Sequence, residues 1–75
     1  MRLEILIHQD GQEYWSEVAE LPGCFASGRT LSELRDALAE AVGLYLWDLP
    51  AELDPVELTT ETSVIDVRPA ATATG

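Results

Sequence analysis

The run Glu20-Leu21-Pro22-Gly23-Cys24-Phe25-Ala26-Ser27-Gly28-Arg29-Thr30, leading into Leu31-Ser32-Glu33-Leu34, constrains this chain more than any other part of it. It reads as a strand end, a tight turn, a very short strand over Cys24 to Ser27, a second turn and a helix start. Pro presets φ and Gly accepts positive φ, so Pro22-Gly23 is a turn. Gly28 marks the second turn. Thr30 with Glu33 has capping-box spacing, each side chain reaching an orphan amide of the first helical turn. A chain that must fold this run has a β-meander feeding a helix.

The flanks complete the pattern. Leu3, Ile5 and Ile7 alternate with polar neighbours, which predicts a half-buried strand. Asp10-Gly11 supplies the positive φ angles of a hairpin turn. Glu13 to Leu21 is a second strand, with Tyr14 and Val18 inward and Trp15 and Glu17 outward. From Leu31, the residues Leu34, Leu38, Ala41, Val42, Tyr45 and Leu49 share one helical stripe, and Pro50 stops the helix. Ala51 to Asp54 reads as a linker. A last strand lies within Val56 to Val67 and ends at Pro69. The expected class is α+β, in the order β-β-β-α-β. Its sheet is mixed (order 3-2-1-4), the last strand parallel to the first through a right-handed helical crossover, and one helix covers one face. One domain spans residues 1–69, followed by a small-residue tail at 70–75, expected to be disordered.

Composition narrows function. Fourteen acidic residues face four arginines and no lysine, for a net charge of −10. Such a chain repels phosphate backbones, so no nucleic-acid binding is expected of it alone, and it favours encounter with a basic protein. Seventy-five residues bury little surface, which makes a homodimer or higher oligomer the expected state. One cysteine excludes an internal disulfide and suits a reducing cytoplasm. Cys24 reads as a small buried hydrophobe rather than a nucleophile. No signal peptide or membrane span is expected.

Candidate chemistry is sparse. His8, on the polar side of its strand, reads as solvated. Arg35 meets no acid along its helix and reads as a solvated surface arginine, or one reaching a carboxylate elsewhere. Glu4, Glu40 and Asp66 could be proposed as a carboxylate set for a metal-dependent nuclease. They are weak candidates in so acidic a chain, so no catalytic residue, metal or cofactor is expected. The interface candidates are Trp15 and Leu6, on the sheet face away from the helix, and Trp47, about 180° from Leu38 around the helix.

The motifs Asp10-Gly11, Tyr14-Trp15, Glu20-Leu21-Pro22-Gly23-Cys24, Gly28, Thr30, Glu33 and Glu40-Ala41 together resemble the HicB-like antitoxins, over roughly residues 3 to 49. Arg29 and Leu34 depart from that pattern, where an acidic residue and Ala are usual. The resemblance implies a partial ribonuclease-H-like sheet and a protein-binding role, masking HicA, a small basic RNA-cleaving toxin. It also implies a nuclease alternative through the shared topology. Many HicB proteins carry a further DNA-binding module, and no such module is expected after residue 69. The rival expectation is an orphan dimeric interaction module without a toxin.

Overall fold

The computed structural model of the chain describes residues 1–70; of the tail expected at 70–75, Ala70 is described, its N–H donating to Pro50 O, and residues 71–75 lie outside the described residues. The elements are β1 (Arg2–Asp10), β2 (Glu13–Val18), β3 (Phe25–Gly28), α1 (Leu31–Leu46), β4 (Ala51–Leu53) and β5 (Ser63–Pro69). One α-helix packs on a five-stranded sheet of order β3-β2-β1-β5-β4, and every recorded strand pair is antiparallel.

The β1–β2 hairpin pairs Asp10 with Glu13 around Gly11-Gln12. Only Gly11 takes positive φ (63°) there, as a turn with glycine at its first central position requires; Asp10 stays in the strand. At the second turn Cys24 N–H donates to Leu21 O at 3.0 Å, with Gly23 at φ 84°. The short strand is displaced by one residue from its expected limits. Gly28 is its last residue rather than a left-handed turn. A Cβ at Gly28 would stand 2.6 Å from Leu34 N, so glycine lets the strand end lie against the helix start.

At that start, Thr30 Oγ1 accepts from Glu33 N–H at 3.0 Å. Glu33 Oε1 accepts from Arg29 N–H at 2.9 Å, one residue earlier than the usual capping box. Leu34, Leu38 and Val42 are fully buried and meet Leu3, Ile5, Ile7, Val18, Ile65 and Val67 of the sheet. The inward phase of β2 is as expected: Ser16 and Val18 are buried and Tyr14 packs against the core.

Three expectations need correction. The helix ends at Leu46 rather than Leu49, with Trp47 as its C-cap and Asp48 at φ 60°. Residues 49–51 then double back across Gly43, where any Cβ would collide with Leu49 O and Ala51 N. The supposed linker Ala51 to Asp54 contains β4, paired with β5 through Ala51↔Pro69, Glu52↔Arg68 and Leu53↔Val67. This added pass reverses the chain, so β5 runs antiparallel to β1 (Leu3↔Ile65, Glu4↔Val64), and the sheet is not mixed. The expected neighbours 3-2-1-last survive, with β4 outside them. Within the Val56 to Val67 segment only Ser63 onward is strand; the rest is loop, anchored by buried Leu58.

Candidate functional site: the open sheet face and its margins

Alternation along β1, β2, β3 and β5 sends one set of side chains to the helix and the other to a face that none of the described elements covers. Leu6, His8, Trp15, Glu17, Phe25, Ser27 and Val64 stand on that open face. The register orders them into rows: Leu6 opposite Glu17, which is opposite Phe25; His8 opposite Trp15, which is opposite Ser27; Glu4 opposite Val64. Trp15 is 36% exposed, Phe25 59% and Val64 56%, and Leu6 is half-buried. The result is a broken apolar surface divided by carboxylates.

His8 is not solvated as expected. Its ring stacks on Trp15 with centroids 4.2 Å apart and planes at 21°, and its Nε2 is buried without a hydrogen-bond partner. Cross-strand pairing causes this, because opposite residues stand close enough for ring contact. The stack fixes the orientation of Trp15 on this face.

Charges divide this face. Around β4 and β5 they are paired: Arg68 lies 3.0 Å from Asp54 and 3.5 Å from Glu52. The Asp54 hydrogen bond, with Glu52 and Asp66 close by, holds the Arg68 guanidinium above its ordinary pKa, against a smaller lowering by desolvation. Around β1 and β2, Glu4, Glu13 and Glu17 make no ion pair with any described residue. Glu20 instead serves the backbone, its carboxylate accepting Glu4 N–H at 2.9 and 3.2 Å where β2 turns away.

Leu6 and Trp15 thus share one face. Trp47 does not join them: it is half-buried and packs against the core. Phe25 and Val64 were missed in the sequence. Phe25 follows a turn in a strand too short to show its phase, and Val64 lies in a segment whose strand limits were blurred. Glu4 and Asp66 sit on sheet strands and Glu40 on the helix surface. Among the described residues no group of three His, Cys, Asp or Glu is placed to hold a metal ion. Cys24 is buried, and burial pushes its thiol up from the ordinary value.

Arg35 is the other residue that sequence reading misjudged. It is half-buried and tied down rather than free in solvent: its guanidinium donates to Val56 O at 2.7 Å, to Leu53 O at 3.1 Å and to Asp54 O. One planar fork thereby binds α1 to the chain leaving β4. No local spacing signals this, since the acceptors are backbone carbonyls 18 to 21 residues away. Among the described residues no helix is long and apolar enough to cross a membrane.

A family model described as UPF0150-like matches residues 3–49, more than half of the chain, from the second residue of β1 through the end of α1. No curated protein and no solved structure matches.

Proposed function

The chain belongs to the UPF0150-like family, and from that premise we propose that it is a protein-binding domain of HicB-like antitoxin type, one that covers a small basic RNA-cleaving toxin. The family is associated with HicB-like antitoxins. The observation that carries the reading is the open face: Leu6, Trp15, Phe25 and Val64 stand beside Glu4, Glu13 and Glu17, which have no ion partner among the described residues. Unpaired carboxylates around apolar anchors suit a basic surface. Charge steers the encounter and the apolar residues hold the complex.

The test is stopped-flow association with a basic protein encoded beside this chain, at several salt concentrations. The on-rate should fall steeply as salt rises, because screening acts within about 10 Å at about 0.1 M. The equilibrium affinity should change less. An on-rate indifferent to salt removes the steering argument. Failure to bind any such neighbour leaves an interaction module without a toxin as the better account. We also propose that the chain is not a nuclease: incubation with RNA or RNA–DNA hybrid in Mg²⁺ or Mn²⁺ should give no cleavage. Cleavage lost on Glu4→Gln or Asp66→Asn overturns that.

A further inference from the structure

The sheet ends in two edges of unlike character. At the β4 edge, Asp54 N–H donates to Asp66 O and Ala70 N–H to Pro50 O, so residues 50, 52 and 54 turn toward β5 and Ala51 and Leu53 turn outward. Arg35 takes the outward Leu53 carbonyl, and the three-residue strand lies between Pro50 and Pro55. That edge is short and blocked.

The β3 edge is open. Ala19 N–H donates to Glu4 O, so the odd-numbered residues of β2 face β1 and the even-numbered ones face β3. Ser16 and Tyr14 therefore bond Ala26 and Gly28, and Phe25 and Ser27 turn their N–H and C=O outward. Among the described residues nothing else bonds those groups. In a chain of net charge −10, Phe25-Ala26-Ser27-Gly28 carries no charge and no proline.

We propose that β3 pairs antiparallel with β3 of a second copy, joining two sheets across a two-fold axis at Ala26. The register follows from the edge itself. Opposite residues in an antiparallel pair share a face, so an axis must pass through one residue and its own copy. Only the axis at Ala26 sets Phe25 opposite Ser27 of the second copy and Ser27 opposite its Phe25, using every outward group of both strands. Axes at Phe25 or Ser27 use half as many. Phe25 then covers Ser27 of the other copy, next in its row to that copy's Trp15.

The helix supplies an independent second contact. Arg35 faces β4, and Ala37, Ala41 and Leu44 lie more than about 100° away around α1, on the flank toward the β3 edge. They line a shallow recess with Glu40, and Leu44 is largely exposed. The same axis brings this small-residue flank against its own copy. Because the β4 edge is blocked, pairing stops at two copies rather than growing into a fibre.

Sedimentation equilibrium of the full chain, at low and high salt, tests this. The wild type should be a dimer that tightens with salt, since screening relieves repulsion between two acidic copies. This response is opposite to that of capture of a basic toxin, so the two readings fail separately. Ser27→Pro, which removes an outward N–H, and Leu44→Glu, on the exposed helix flank, should each weaken the dimer about tenfold or more. Both should keep the wild-type circular dichroism. Hydrogen exchange should show the Phe25 and Ser27 amides protected in the wild type and not in Leu44→Glu. A wild-type monomer at sub-millimolar concentration overturns the proposal. So does a dimer indifferent to Leu44→Glu yet dissociated by Trp15→Ala, or β3 amides protected only by an added extended peptide.

Discussion

The two faces of one sheet obey different rules. The helix-covered face is aliphatic: Leu3, Ile5, Ile7, Val18, Ile65 and Val67 close on Leu34, Leu38 and Val42. Its one fully buried polar side chain, Ser16, points its hydroxyl at Ala26 O, 3.5 Å away. The open face alternates aromatic, aliphatic and carboxylate side chains, and its aromatic contact is the His8–Trp15 ring stack. Shape holds the first face together. The second is left unsatisfied, with exposed Phe25 and Val64 beside unpaired carboxylates. One set of strands therefore builds both a core and an exposed apolar surface, and, on the proposed reading, substitutions on the two should separate stability from binding.

The largest effect is expected in the covered face. Leu38→Ala leaves a cavity at a fully buried site and should cost about 2–5 kcal/mol of unfolding free energy, read by urea denaturation. A loss below about 1 kcal/mol would mean that the helix is not seated as described. Next is the clamp that closes this face at its β4 side. Arg35→Ala strands three carbonyls and should cost about 1–3 kcal/mol, with amide exchange rising first at residues 51–56. Arg35→Lys should rescue little, because an ammonium lacks the planar fork. The smallest stability effect belongs to the open face. Trp15→Ala should cost no more than about 1.5 kcal/mol, mainly through loss of the His8 stack. The same variant should lose about 2 kcal/mol or more of partner affinity. If Trp15→Ala unfolds the chain while Leu38→Ala does not, the contrast between the faces is wrong.

Much of the architecture was legible because its signals are local. Pro22-Gly23 and Asp10-Gly11 announce turns through backbone preference, Thr30 and Glu33 announce a helix start, and period-two and helical patterns separate strand from helix. The phase of β2 followed from the same alternation, which put Trp15 and Leu6 on the open face. His8 was misread because its surroundings are set by the strand opposite. Phe25 and Val64 were missed because a four-residue strand, and one with blurred limits, show too few periods to declare a face.

By itself the sequence determined the meander, the helix and the Leu34, Leu38 and Val42 part of its buried stripe, since each rests on interactions within a few residues; Tyr45, expected in that stripe, is half exposed, and Leu49 lies beyond the helix. It also determined the acidic character that governs any encounter. Only the tertiary structure decided the direction of β5, the existence of β4 and the state of the two sheet edges. A three-residue strand has no periodicity of its own and exists because β5 supplies its hydrogen bonds. Arg35 and Gly43 then hold it, one by reaching carbonyls from across the fold and the other by offering no side chain where the chain must pass. These are long-range packing and backbone terms, and a linear pattern has no means of displaying them.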